Sequence, residues 1–312
     1  MLQFSHKPVM LEECMEGLHV KSGGIWFDGT LGGGGHSYEI LRRSAPDGRL
    51  IATDLDDYAI AAASERLAEF KGRYRIFKSN YKDFERVLEE AGVDELDGVL
   101  LDFGVSSFQL DEESRGFTYS RKEAPLDMRM NPSAPLSARE VVNEYSEQSL
   151  FEIIRDYGEE KFAKRIAFNI VKEREKEEIA TSGRLVDIIE KSIPAKFRQN
   201  GPCARKTFQA IRIEVNRELD GLFETVIGLS RRLKRGGRIC ILTFHSLEDR
   251  IVKNAFREME TDCICDKSLP VCVCGKKREL KIIGKKPIVA GEQELKNNSR
   301  SKCAKLRIAE KV

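Results

Sequence analysis

Short apolar runs and amphipathic stretches alternate along the first third of the chain. Ile25–Asp28, Arg49–Asp54, Tyr74–Ser79 and Asp97–Val105 are brief and largely apolar, as strands covered on both faces should be. Between them Ser37–Arg43, Asp57–Phe70 and Lys82–Ala91 read as helices, and Ala59-Ile-Ala-Ala-Ala-Ser-Glu-Arg-Leu67 is strongly helix-favouring. Alternation of this kind predicts βαβ units and a parallel sheet with right-handed crossovers.

After Phe108 the pattern changes. Residues 109–135 are rich in charge and turn formers, with Pro125, Pro132 and Pro135 among them. From Ser137 to Ile193 apolar residues recur at helical spacing, as in Glu147–Tyr157 and Lys161–Arg174, and no strand pattern of any strength occurs. A long helix is then expected over Thr207–Leu233, stopped by Gly236-Gly237, followed by strand Arg238–Phe244. Helix Ser246–Glu260 opens on Ser246-Leu-Glu-Asp249, which resembles a capping box, and Ala304–Ala309 alternates like an edge strand. The expected fold is therefore an α/β core made of residues 1–110 and 207–312, interrupted by an all-helical insert over 111–206.

Composition narrows the class. The 312 residues are 41% hydrophobic and 33% charged, the balance of a globular protein with room for a large core. No apolar run approaches the roughly 18 residues of a membrane span, and Met1–Pro8 lacks a basic segment leading into an apolar one. No membrane association and a cytoplasmic location are expected. The formal charge of +2 hides an asymmetry: Gly275–Val312 holds 12 Lys or Arg against 4 Glu, on a body that is mildly acidic. Such a tail suits a phosphate-rich partner as well as it suits simple solvation.

Eight cysteines are present, and in a chain of this length without a leader a disulfide framework is not expected. Cys263-Ile-Cys265 and Cys272-Val-Cys274 form two close C-x-C units that could hold zinc tetrahedrally. The one-residue spacing is less usual than C-x2-C, and reduced thiols in a loop are the simpler reading. No metal ligand is assigned.

Candidate chemistry gathers where strands end. Asp28 closes the first strand, four glycines (Gly32 to Gly35) follow, and a helix begins. Backbone bare of side chains at that place lets a ligand come close to free N–H groups. Asp54 closes the next strand 20 residues beyond Gly34, a spacing that suits a carboxylate on ribose hydroxyls. Asn80-Tyr81 and Asp102-Phe-Gly-Val-Ser-Ser107 mark two further strand ends, with Tyr81 suited to lie against a flat base. Each residue also has an ordinary role, Asp54 as a helix cap, Tyr81 as core, Asp102 as a turn former, His36 as a first-turn hydrogen bonder; their joint placement carries the argument. A dinucleotide loop wants Gly or Ala where Ser37 stands. Acid, glycines and then a second acid favour S-adenosylmethionine over a nicotinamide.

Seven blocks resemble the ribosomal RNA small subunit methyltransferase H (MraW/RsmH) family. They are Asp28–Ser37, Leu101–Ser107, Arg115–Phe117, Pro125–Met130, Tyr157–Lys161, Thr207–Arg212 and Phe244–Arg250, in order over nearly the whole chain. The resemblance implies a Rossmann-like methyltransferase core interrupted by a helical domain, and N4 methylation of a cytidine in the decoding region of 16S rRNA with S-adenosylmethionine. By position it assigns cofactor binding to Gly34, Gly35, His36, Asp54, Tyr81, Asp102 and Gln109. Tyr81 stands where relatives often have phenylalanine, and the C-x-C units are not shared throughout.

Direct methyl transfer then needs a hydrogen-bond acceptor for the target amine, for which Asp102 and the carbonyls of Gly104–Ser106 are candidates, with His245 a second proton acceptor. Asp102-Phe-Gly-Val departs from the Asn- or Asp-Pro-Pro-aromatic run of many amino methyltransferases. Arg115, Phe117, Arg129, Arg205 and Lys206 are candidate contacts to an unstacked base or its phosphates, with core packing and ion pairing the plainer alternatives. The expected partner is 16S rRNA, within the small ribosomal subunit, and a homodimer stays open. Two other readings are weighed: a nicotinamide-dependent oxidoreductase, and a non-catalytic RNA-binding assembly factor.

Overall fold

A computed structural model describes residues 8–106, 109–110, 112–198, 202–266 and 271–312. Ser107 and Phe108, the close of the block that begins at Leu101, lie outside the described residues. The chain forms two units, Met1–Gly104 with Gly221–Val312, and Val105–Asp220.

The first unit starts with α1 (Leu11–Leu18), β1 (Ile25–Asp28), α2 (Gly35–Arg43), β2 (Arg49–Asp54), α3 (Asp57–Arg66), β3 (Tyr74–Lys78), α4 (Phe84–Ala91) and β4 (Leu96–Asp102). The helical unit follows with α5 (Ala138–Glu144), α6 (Glu147–Asp156), α7 (Ala163–Arg174), α8 (Ser182–Ser192) and α9 (Arg205–Asn216). The chain returns as α10 (Leu222–Arg231), β5 (Leu233–Thr243), α11 (Ser246–Glu260), β6 (Leu280–Val289), α12 (Glu292–Asn297) and β7 (Lys305–Lys311).

The sheet runs β3-β2-β1-β4-β5-β7-β6. Strands β1 to β5 are mutually parallel, and β7 is antiparallel to both of its neighbours. Strand order reverses between β1 and β4, so the connections leaving their carboxyl ends run in opposite directions; this is the place where open α/β sheets bind ligands. This is a Rossmann-like fold. Trp26, Leu50, Leu100, Cys240, Leu242 and Ile308 lie on one face of the sheet with Cys14, Met15 and Leu18 of α1. The helical unit has its own core, in which Val141, Leu150, Ile166, Ile170, Ile189 and Phe208 are buried. Among the described residues no helix is long and apolar enough to cross a membrane.

Four expectations need correction. The helix expected over Thr207–Leu233 is two helices, α9 and α10. Arg217 takes a left-handed backbone (φ 48) and closes α9 with its N–H on the Glu214 and Ile213 carbonyls. Phe208, Ile211 and Val215 of α9 pack in the helical core, so the units divide at 220/221 rather than 206/207, and at 104/105 rather than 110/111. Gly236 (φ 80) is not a helix stop but lies within β5, where the register against β4 shifts. Finally, Ala304–Ala309 is no edge strand: β7 sits between β5 and β6. The edge belongs to β6, whose alternation is broken by Gly284, Lys285, Lys286 and Pro287, residues that discourage pairing with another chain. The basic tail is thus folded into the sheet, with Arg307 and Lys305 both on Asp249.

Candidate active site

The site is assembled from the turn after β1. Asp28, buried at the strand end, accepts the Thr30 N–H at 3.1 Å on one oxygen and the Ser37 hydroxyl at 2.7 Å on the other. Ser37, where a dinucleotide loop would carry Gly or Ala, thus ties α2 back to β1. The Thr30 hydroxyl accepts the Asp102 N–H at 2.6 Å and lies 3.5 Å from Asp28 Oδ1, joining two neighbouring strand ends.

The glycine loop is held from the other side. Asp54, at the end of β2, accepts the Gly32 N–H at 2.8 Å and the Asp56 N–H at 2.9 Å. Asp54 is therefore not the cap of α3; Asp56 is, accepting from Tyr58 N–H. Gly34 caps α2 in the left-handed region (φ 74), which costs a side-chain-bearing residue roughly 1–2 kcal/mol. At Gly35 a Cβ would come within 2.3 Å of Pro8 Cγ. Gly34 is thus required by its backbone conformation and Gly35 by the closeness of the Pro8 ring.

Beside this loop lie the remaining strand ends. Tyr81 follows β3 in a short 3-10 turn capped by Asn80, and its ring lies 5.4 Å from that of Phe103, tilted by 36°. His36 is buried in the first turn of α2, with Nε2 3.1 Å from the Val9 carbonyl and Nδ1 3.8 Å from Asp102 Oδ2. Burial pulls the His36 pKa down to about 4, so the ring is neutral at pH 7, with Nε2–H donating to Val9.

The acids respond in the opposite direction. Burial, with the nearby Asp54 charge adding to it, holds Asp28 at about 6 despite its hydrogen bonds to Ser37 and Thr30. Burial likewise raises Asp54. Asp102, which keeps a quarter of its side-chain surface open, is pushed up to about 8 by burial first, then by Asp28 and Glu248. Several carboxyls thus share one crevice with no Lys or Arg recorded as their ion-pair partner among the described residues. They favour a cation, and they oppose the pyrophosphate of a dinucleotide.

A model of the MraW methylase family matches residues 3–312. The chain is 54% identical over 311 residues to ribosomal RNA small subunit methyltransferase H 2 of Agathobacter rectalis, covering 99% of each chain. It is 51% identical over 312 residues to ribosomal RNA small subunit methyltransferase H of Clostridioides difficile, covering 100% of both. The chain belongs to the MraW methylase family. Among solved structures, an rRNA methylase from Streptococcus thermophilus aligns with 11% identity over 99% of each chain, with a TM-score of 0.41.

Within this MraW methylase, Gly34, Gly35, His36, Asp54, Tyr81 and Asp102 all belong to the first unit and stand at successive strand ends. Gln109 belongs to the helical unit, where its Oε1 accepts the Ser106 N–H at 3.0 Å and its own N–H donates to Ser106 Oγ at 3.2 Å. His245 follows β5 and caps α11: the Glu248 N–H donates to its Nδ1 at 3.4 Å, while Glu248 Oε2 accepts the Phe244 and His245 N–H groups. The capping box is therefore His245 with Glu248, one residue earlier than Ser246 with Asp249. The His245 side chain is only 5% exposed; its Nε2 lies 3.0 Å from Glu248 Oε1, out of hydrogen-bond alignment.

Three candidate RNA contacts turn inward. Arg115 donates to the Arg129 and Met130 carbonyls, Arg129 is clamped on Asp127, and Phe117 is core. Arg205 and Lys206 remain on the surface, the latter donating to the Glu159 carbonyl. Sequence reasoning missed Thr30 and Glu248. A hydroxyl two residues after a strand-end Asp is a recognisable turn signal for the first. Nothing in the sequence marks Glu248 beyond its place in a cap.

Proposed function

We propose that this methylase transfers a methyl group from S-adenosylmethionine to the N4 amine of a cytidine in the decoding region of 16S rRNA, within the small ribosomal subunit. The observation that carries the donor is the carboxyl-lined crevice around the Gly32–Gly35 loop. A sulfonium bearing an amino-acid ammonium is stabilised there, whereas a nicotinamide dinucleotide would bring negative charge against Asp28 and Asp54. The acceptor is supported by relatives at 51–54% identity over almost the full chain, which are ribosomal RNA small subunit methyltransferases H.

In this reading Gly34, Gly35 and His36 form the floor of the donor site, Asp54 takes the ribose, and Tyr81 lies against the base. Gln109 joins them by resemblance to the family. Bound S-adenosylmethionine supplies an electrophilic methyl group; the chain's residues do the rest. The cytosine amine is a poor nucleophile because its lone pair is spread into the ring. Asp102 accepts hydrogen bonds from its N–H groups, which concentrates the lone pair on nitrogen and holds the amine in place. The methylated nitrogen then sheds a proton, and a carboxylate whose pKa lies near 8 in the free protein is well matched to hold it. His245, fixed in a helix cap, is the weaker candidate for that task. The helical unit is assigned to substrate recognition.

The test is tritiated methyl incorporation into small subunits that lack the modification, followed by mass mapping of the modified nucleotide. Label on a cytidine N4 supports the reading. No incorporation into native or partly assembled subunits overturns it. Saturable binding of NAD in place of S-adenosylmethionine would revive the oxidoreductase alternative. RNA binding without methyl transfer would revive the assembly factor.

A further inference from the structure

Far along the chain from the site, the loop over residues 261–279 joins α11 to β6. Its base is closed: the Glu279 N–H donates to the Met259 carbonyl at 2.8 Å, and Arg278 donates to the Glu260 carbonyl at 3.0 Å. Its tip has no helix or strand among the described residues and no apolar core, since Ile264, Val271 and Val273 are 68%, 70% and 77% exposed. Nevertheless four thiols converge there. The Sγ atoms of Cys263 and Cys272 are 3.5 Å apart, as are those of Cys272 and Cys274; Cys265–Cys272 and Cys263–Cys274 are both 3.9 Å.

We infer that Cys263, Cys265, Cys272 and Cys274 form a tetrathiolate zinc site that staples the loop between α11 and β6. A tetrahedron with zinc–sulfur bonds of about 2.3 Å puts its sulfurs about 3.8 Å apart, and all four Sγ atoms fall within 4.8 Å of one another. Three backbone N–H groups already point at these sulfurs: Ile264 to Cys274 at 3.4 Å, Cys265 to Cys263 at 3.4 Å, and Val273 to Cys265 at 3.3 Å. Such bonds are the outer support that thiolate ligands of a metal receive. Four sulfurs without histidine or carboxylate select a soft tetrahedral ion, and they leave no open position for catalysis. A loop that buries almost nothing gains its order from such a clip. Cys14 and Cys240, buried in the core, and Cys303 are not part of it.

Metal analysis of the full chain, purified reduced from zinc-replete cells, tests this. About one zinc per chain is expected, lost in the Cys272→Ser/Cys274→Ser double variant and kept in Cys303→Ser. Cobalt titration of the metal-stripped wild-type chain, which does not depend on a variant folding, should give tetrahedral tetrathiolate absorption that zinc then displaces. Stripping should also speed tryptic cleavage after Lys277 and Arg278 about tenfold, because a loop's opening free energy falls when its clip is removed. Substoichiometric zinc with no tetrathiolate spectrum, stoichiometric iron, or a disulfide among these cysteines in protein kept reduced overturns the proposal.

Discussion

His36 Nδ1 stands 3.8 Å from Asp102 Oδ2, yet the two groups do not form an ion pair at neutral pH. Burial lowers the histidine to about 4 and raises the carboxyl to about 8, so both are predominantly neutral at pH 7 in the free protein. For Asp102, whose folded pKa lies above its unfolded one, unfolding releases a proton between pH 4 and 8, and its contribution to stability falls across that range. For His36 the folded pKa lies below, so unfolding takes up a proton between about pH 4 and 6.5, and its contribution falls as the solution is acidified. Above pH 6.5 Asp102 acts with little opposition from His36. The melting temperature of the free protein should decline from pH 6.5 to 8, and Asp102→Asn should flatten that decline. An unchanged slope in the variant would show that other groups govern it.

Donor binding should be coupled to the same proton. A cation in the crevice favours the carboxylate form of Asp102 and, at lower pH, of Asp28, and so expels protons on binding. Affinity for S-adenosylmethionine should tighten as pH rises from 6 to 8. Calorimetry in buffers of differing ionisation enthalpy should report net proton release below pH 8. Affinity independent of pH, with no proton release, would separate Asp102 from the donor site. For transfer itself, Asp102→Asn should lower kcat by about 10²–10⁴-fold, the range for a lost general base.

Thr30 holds Asp28 and Asp102 in one arrangement through a single hydroxyl. Thr30→Val keeps the shape but leaves the Asp102 N–H without that acceptor, which costs about 1–3 kcal/mol. The variant should melt earlier by that equivalent and should lose kcat more than it weakens donor binding, because the strand end of Asp102 is what shifts. A variant that matches wild type in both would show that a water takes over the bond.

How much of this was legible beforehand depends on how local each feature is. Asp28, the glycine run, Asp54, Tyr81 and Asp102 sit at strand ends that apolar runs reveal directly, and four of the five parallel strands match closely in place. The division of Thr207–Leu233 into α9 and α10 was hidden because Arg217, not glycine, takes the left-handed turn, and both halves are amphipathic. Strand β6 was hidden because an edge strand protects itself with lysines and proline, which erase the alternation that would reveal it. Thr30 leaves only a local turn signal beside Asp28. Its bond to Asp102, the effect of Glu248 on Asp102 and the closing of the C-x-C units depend on pairings across many residues or across a loop without periodicity. Such contacts leave no spacing to read.

Glu248 both caps α11 and raises the Asp102 pKa. Glu248→Gln keeps a side-chain acceptor for the Phe244 and His245 N–H groups while removing the charge. The pH profile of methyl transfer should therefore move to lower pH with a modest loss of stability. Glu248→Ala should also lose the cap, at about 1–2 kcal/mol. A profile shifted by Ala but not by Gln would mean that geometry rather than charge connects the two residues.

In the helical unit, Asn216 near the end of α9 fastens the segment around Met128, whose backbone is left-handed (φ 59). Its Oδ1 accepts the Met130 N–H at 2.7 Å, and its Nδ2 donates to the Met128 carbonyl at 2.8 Å and the Arg212 carbonyl at 2.9 Å. Asn216→Ala removes all three bonds and leaves two backbone groups of a partly buried segment without this partner, at roughly 2–4 kcal/mol. Asn216→Asp keeps the acceptor but not the donor, and should fall between wild type and Ala in thermal unfolding. Amide exchange should rise at Met130 in the Ala variant and stay nearer wild type in the Asp variant, since only the former loses its acceptor. Equal protection of Met130 in all three proteins would show that the segment is held by the Arg115 bonds to the Arg129 and Met130 carbonyls instead.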